Sequence, residues 1–249
     1  MLKKSMIGLV LIWMAVACGA PASAELGGDQ IVARMDRLMN SDHMVSTLDI
    51  TVTRPGKEDR TSRIEVYTLG SDKVLVKYLA PAQDKGKAYL RLGDDSWLYM
   101  PEVHKSLRVS GKQSMQGSDL SIDDVMRINV AEDYAVTNVG SDVLDGVDCY
   151  LLDLTAKRPT VTYNRLKYWV RKADFLPAKF ECYTTSGIML KTMAYGEIRE
   201  IGGRVRPTRM EVTSELKKGY KTVMEMRDAD FNRENPENIF SKSYLESGK

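Results

Sequence analysis

The chain has two histidines, His43 and His104, far apart in sequence and each in a polar segment. They form no pair at metal-ligand spacing. No His-Glu-x-x-His helix, paired-cysteine motif or Gly-x-Ser-x-Gly elbow occurs, and those are the arrangements that hold zinc or expose a nucleophilic serine. Two adjacent carboxylate pairs remain, Asp94-Asp95 and Asp123-Asp124. Acid/base chemistry needs two such groups whose pKa values a pocket pushes apart. On a turn or at a helix start, adjacent carboxylates are instead expected to be solvated or to favour the helix dipole. No glycine-rich loop follows a strand and opens a helix, so a phosphate cradle is missing as well. The sequence is that of a binding protein: no catalytic residue, metal ligand or cofactor is expected.

The residues that could do work are apolar, and strands must position them. Leu48, Ile50 and Val52 alternate with Asp49 and Thr51, and Ile64, Val66 and Thr68 repeat the pattern. Leu90-Arg91-Leu92 and Trp97-Leu98-Tyr99 flank Gly93-Asp94-Asp95-Ser96, a hairpin signal. With Asp94-Asp95 as the loop, Leu92 pairs with Trp97 and Leu90 with Tyr99. Further strands are read at Val74–Leu79, from Tyr134, and at Val147–Thr155, Leu166–Lys172, Ala178–Thr184, Met189–Ile198, Val205–Leu216 and Tyr220–Phe231. Gly202-Gly203 marks the clearest turn. Helical spacing is confined to Asp29–Met39 with Asp29 as N-cap, to Ser121–Ile128 with Asp124 completing a capping box, and to Glu237–Leu245 after Pro236. Between strands, Ser110–Asp119 is polar and glycine-containing and reads as a loop. About eleven strands with three short helices give a mainly β, α+β chain on one long antiparallel sheet that must curl.

The first 24 residues read as an address. Lys3 and Lys4 precede an apolar run, Met6 to Ala17, and Ala22-Ser23-Ala24 offers a cleavage site before Glu25. The run falls short of the ~20 residues that span a bilayer. Cleavage after Ala24 and export to the periplasm are expected, with 25–249 as a single domain; acylation at Cys18 after Ala15-Val16-Ala17 is the alternative. The full chain carries 36 basic and 34 acidic side chains. Loss of Lys3 and Lys4 would leave the mature chain balanced, without the basic excess that drives non-specific nucleic-acid binding. In an oxidising compartment Cys149 and Cys182 need comment. Period-two alternation turns Cys149 outward and Cys182 inward, and opposite faces argue against a disulfide, so two half-buried thiols are expected.

Three short helices can scarcely cover so many strands, which leaves apolar sheet surface for a greasy ligand. By alternation its lining comprises Leu48, Ile50, Val52, Ile64, Val66, Leu90, Leu92, Trp97, Tyr99, Leu152, Leu154, Tyr168, Val170, Phe180, Met210, Val212, Met224 and Met226. On that assignment Leu92→Glu abolishes lipid uptake. A single β-bulge, however, reverses every face beyond it.

The succession Gly93-Asp94-Asp95-Ser96-Trp97-Leu98-Tyr99-Met100-Pro101, then Lys105-Ser106-Leu107-Arg108, then Gly117-Ser118-Asp119-Leu120-Ser121-Ile122-Asp123-Asp124 resembles the LolA-like family of outer-membrane lipoprotein-sorting proteins, in its uncharacterised sorting-like subgroup. The resemblance runs over essentially the whole mature chain. It implies an unclosed β-barrel whose concave face is lidded by helices, with acyl chains of a lipoprotein or lipid bound between sheet and lid. It also implies a non-enzymatic carrier working with an inner-membrane exporter and an outer-membrane acceptor. A lipid-sensing regulatory module or an accessory exporter subunit is the alternative. The family's lipoprotein chaperone holds its lid with an arginine near the cavity; the corresponding stretch here, Gly70-Ser71-Asp72-Lys73-Val74, has none. Loop Ser110–Asp119 and helix Ser121–Ile128 are expected to form part of the lid.

Overall fold

In the computed structural model, which describes residues 26–127 and 129–247, period-two alternation becomes strand nearly everywhere. The order is α1 (Gly28–Met39), β1 (His43–Thr53), β2 (Arg60–Leu69), β3 (Lys73–Ala80), β4 (Ala88–Leu92), β5 (Asp95–Met100), β6 (Lys105–Val109), α2 (Ile122–Met126), α3 (Val130–Asp133) and β7 (Tyr134–Leu144). It continues with β8 (Val147–Ala156), β9 (Arg165–Arg171), β10 (Pro177–Tyr183), β11 (Met189–Ile201), β12 (Arg204–Ser214), β13 (Lys221–Asp230), a 3₁₀ turn at Glu237–Ile239 and α4 (Lys242–Glu246). The proposed leader, Cys18 and Ile128 lie outside the described residues.

All strands join one antiparallel 13-stranded sheet in the order β6-β5-β4-β3-β2-β1-β13-β12-β11-β10-β9-β8-β7. Two meanders, β1 to β6 and β7 to β13, are joined where β1 pairs with β13. The outermost strands, β6 and β7, do not pair with each other, so the sheet is an unclosed barrel. This order dictates the route of the intervening chain. Between β6 and β7 the polypeptide must travel from one edge of the sheet to the other, and it does so across the inner face. Met115, Leu120, Ile122, Val125 and Met126 of this crossing all belong to the main buried cluster, together with Leu48, Ile64, Leu152 and Val212 of the sheet.

Several local expectations need correction. The N-cap of α1 is Gly27, whose N–H donates to Gln30 Oε1 (3.3 Å); Asp29 lies inside the first turn. Gly28 also lets that turn lie against Val136 and Val139 of β7, where a side chain would clash. In the hairpin Leu90 pairs with Trp97, Leu92 with Asp95 and Ala88 with Tyr99, so the loop is Gly93-Asp94. Gly93 supplies the positive φ of +59° that such a turn needs. Lys105–Val109 is an additional edge strand, too charged for its alternation to stand out. The C-terminal helix is broken at Phe240-Ser241 because Phe240 turns inward to bury its ring. The thiols of Cys149 and Cys182 are free and both fully buried, with Cys182 in the main cluster and Cys149 outside it.

Candidate ligand-binding face

Two large apolar clusters, with a small third one of Ile201, Ala229 and Phe231, divide the sheet. The larger one, on the inner face, packs Ile31, Val32 and Met35 of α1 and Ile122, Val125 and Met126 of α2 against β1, β2, β8, β9 and β12. It holds Leu48, Ile50, Val52, Ile64, Val66, Leu152, Leu154, Tyr168, Val170, Met210 and Val212, with Phe180, Met224 and Met226 partly buried against it. The smaller cluster joins Leu75, Ala88, Leu90 and Tyr99 to Phe240 and Leu245, with Leu92 and Trp97 packed alongside. Leu90, Leu92, Trp97 and Tyr99 therefore do not line the inner face. The same alternation sends Tyr89, Arg91 and Leu98 inward instead, and the C-terminal segment covers the more apolar face of β4 and β5. Leu92→Glu now strikes the packing of that segment.

The crossing segment is tied to both halves of the sheet. Ser121 caps α2: the Asp124 N–H donates to Ser121 Oγ (3.2 Å) and the Ser121 N–H to Asp124 Oδ2 (2.6 Å). From β11, Lys191 donates to the Asp119 carbonyl (2.6 Å) and to Asp124 Oδ2 (2.8 Å). Tyr163 OH donates to Asp124 Oδ1 (2.9 Å). From β4, Arg91 Nη1 donates to the carbonyls of Met126 (3.0 Å) and Ser71 (3.1 Å), drawing the C-terminal end of α2 onto the sheet. Arg127 Nε reaches Asp133 Oδ2 (2.6 Å). The Asp123-Asp124 side chains are thus buried rather than solvated, and both lie in the first turn of α2, the position that favours its dipole. Burial raises the Asp123 pKa, opposed by the Thr162 hydroxyl that donates to it. Asp94 is held low chiefly by Arg127, which donates to it. His43 accepts from the Asn235 N–H (3.2 Å), far from His104. Among the described residues no three His, Cys, Asp or Glu side chains converge as a metal site.

Helix α1 joins the same cover through Asp36, 7% exposed, which accepts from the Ala131 N–H of α3 (2.7 Å). Burial pushes its pKa up to about 6. Beneath the helices lie two small cavities of about 150 and 130 Å³. Tyr168, Phe180 and Met210 line the first; Leu48, Val66, Met210, Met224 and Met226 line the second. The rings of Tyr168 and Phe180 stack at 5.0 Å. Met39, Asp124, Tyr195, Arg206 and Met210 are shared walls. Sequence reasoning missed Met35, Met39, Tyr195 and Arg206. Arg206 keeps the parity of Met210 and Val212 along β12, so alternation already put it on the inner face; its charge hid it.

An open antiparallel sheet whose inner face is covered by helices, with residual cavities between, defines an unclosed β-barrel. The chain belongs to the LolA superfamily. A LolA superfamily protein from Nitrosomonas europaea matches with a TM-score of 0.81 and 30% identity, over 88% of this chain and 100% of its own. A DUF1329 family protein from Desulfovibrio piger matches at 0.80 and 26%, over 88% and 97%. A putative outer membrane lipoprotein-sorting protein domain from Vibrio parahaemolyticus shares the fold at 0.78 and 23%, over 88% and 98%. A family model described as "Uncharacterized protein" matches residues 70–247. Comparison with curated proteins gives no match.

Proposed function

We propose that the mature chain, 25–249, is a periplasmic, non-enzymatic carrier that shields acyl chains of a lipoprotein or lipid between sheet and helices. The observation that carries this reading is the inner face itself, apolar across both meanders and covered by short helices that polar latches hold. Burying an acyl chain of about fourteen methylenes gains ~11 kcal/mol gross, before ordering costs. In the present arrangement each cavity suits a group of benzene size, by comparison with engineered cavities of ~150 Å³. This is the closed form of the carrier. Loading requires α1 and α2 to move off the sheet, releasing Arg91 from the Met126 carbonyl and merging the two cavities. The six methionines of these walls suit a surface that must repack around ligands of different shape. An inner-membrane exporter as donor and an outer-membrane acceptor complete the reading.

The test is native mass spectrometry of the protein purified from periplasm, followed by organic extraction. A stoichiometric acylated species is expected. A mass that stays ligand-free after incubation with lipid vesicles would sink the proposal. The same spectrum reports the mature N-terminus, expected at Glu25.

A further inference from the structure

Arg206 is the one side chain in the shared wall whose chemistry the packing leaves unanswered. It is 6% exposed, yet its Nε and Nη1 have no hydrogen-bond partner. It stands on β12 between the two cavities and lines both. One side of its guanidinium lies 5.2 Å from the Phe231 ring centroid. Burial lowers its pKa to about 10, and the neighbours that act on it are the neutral Tyr195 phenol and the like-charged Arg204, with no carboxylate among them. The group therefore remains a cation at neutral pH, without a counter-charge. A second orphan lies nearby: Ser46 Oγ, in a residue 2% exposed, lines the second cavity and also lacks a partner. Buried donors left unpaired are costly, and a buried unpaired charge more so.

The carboxylates of the first cavity are already engaged. Asp36 accepts from Ala131 N–H, Asp123 from the Thr162 hydroxyl, Asp124 from Lys191, and Asp133 from Arg127. None is available to Arg206, and together they make that cavity unfavourable for an anion. The second cavity shares one of these carboxylates, Asp124, which Lys191 already engages, and is otherwise mostly apolar: Met39, Met44, Leu48, Met224 and Met226 surround the two orphan donors. A ligand with an apolar tail and one negative group at its end satisfies both halves of this arrangement.

We propose that the cargo is an anionic amphiphile, whose carboxylate or phosphate is received by the Arg206 fork while its acyl tail fills the methionine-rich cavity. The proposal rests on the carrier reading above and adds to it the charge of the cargo and the end by which it is held. A guanidinium offers parallel N–H groups that match either oxyanion. Neutral acyl esters, alcohols and glycerides could accept a hydrogen bond from it but would leave its charge uncompensated.

The test uses the full mature protein and displacement of the neutral dye N-phenyl-1-naphthylamine by dodecanoate, dodecanol or acetate. Dodecanoate is expected to compete roughly ten- to a hundredfold better than dodecanol, the range a charge-assisted hydrogen bond supplies. In Arg206→Met that preference disappears while dodecanol competes as before, and ligand-free protein melts no lower than the parent, since an uncompensated charge has gone. Arg206→Lys retains part of the preference, having the charge without the fork. Equal competition by dodecanoate and dodecanol in the parent, or a preference that survives in Arg206→Met, overturns the proposal. So does acetate competing as well as dodecanoate, which would mark a small-anion site. A lower melting temperature of Arg206→Met would assign the arginine to structure and also overturn it. Failure of both dodecyl probes and of the dye to bind would sink the carrier reading itself, a different result from loss of headgroup preference.

Discussion

The two faces of this sheet bury apolar side chains to different ends. On the outer face of β3 to β5, Leu75 and Leu90 are fully buried against Phe240 and Leu245 of the C-terminal segment. Asn235 seals the approach by donating to the carbonyls of Met44 (3.0 Å) and Thr68 (2.8 Å). On the inner face the cover is polar at its joints and incomplete beneath: Arg91, Asp36 and Lys191 hold the helices, cavities remain, and Arg206 and Ser46 are unsatisfied. The outer cluster is core in the ordinary sense, close-packed and without residual demand. Under the carrier proposal, the surface left under-packed and under-bonded in the same molecule is the one expected to exchange ligand.

The largest expected effect breaks the outer face alone. Leu90→Ala should cost about 4 kcal/mol, within the range for a fully buried leucine that leaves a cavity, measured by urea unfolding. Dye binding at the inner face should be unchanged. A loss of binding in that variant would show that the faces are not independent and would undo the comparison. Met210→Ala, in the wall between the two cavities, should also cost stability, since Met210 is buried in the main cluster, but unlike Leu90→Ala it should alter dye affinity.

Much of this division was legible in the sequence and some was not, for identifiable reasons. The period-two pattern of Leu48, Ile50 and Val52, or of Leu152 and Leu154, gives the strands and their buried face correctly. The capping residues of α2, Ser121 and Asp124, are found where the spacing puts them. The assignment failed at β4 and β5 because alternation tells which residues share a face and not what covers it. Leu90 and Leu92 are more apolar than Tyr89 and Arg91, so the wrong face looked like the cavity wall. Only the return of Phe240, some 150 residues later in the chain, decides the matter. The arginines were hidden by the same habit: a charge at an inward position reads as the end of an apolar face, although Arg91 and Arg206 keep strict parity with their inward neighbours.

A smaller effect tests the inner cover. Folded Asp36 keeps its proton up to about pH 6, against an ordinary 3.8. Between those values the folded state binds more protons than the unfolded one, so stability falls as pH rises through the window. Asp36→Asn keeps an acceptor for the Ala131 N–H and removes the titration. It should be more stable than the parent at pH 7 by at most ~3 kcal/mol, with the difference vanishing below pH 4. Urea unfolding at the two pH values checks this; a variant less stable at pH 7 would mean that the ionised carboxylate is needed to seat α3.

Arg91→Met removes two hydrogen bonds to carbonyls and should release α2 by about 2 kcal/mol, the usual worth of a charged donor. The readout is local: amide exchange at Ile122–Arg127 quickens while β1 and β12 stay protected. Uniform quickening across the sheet would place Arg91 in the global core rather than at a latch.

The smallest effect separates charge from packing on the outer face. Lys73 Nζ and Glu237 Oε1 lie 2.5 Å apart, but the glutamate side chain is 77% exposed. Solvent and salt screen such a pair, and the entropy of fixing two long side chains opposes it. Glu237→Gln should leave the melting temperature unchanged at both low and high salt, whereas Phe240→Ala, which empties a buried site, should lower it clearly. If Glu237→Gln instead loosens the C-terminal segment, and does so only at low salt, the outer cover is held by charge as the inner one is. The contrast between a sealed face and a latched one would then rest on the cavities and the unpartnered Arg206 alone.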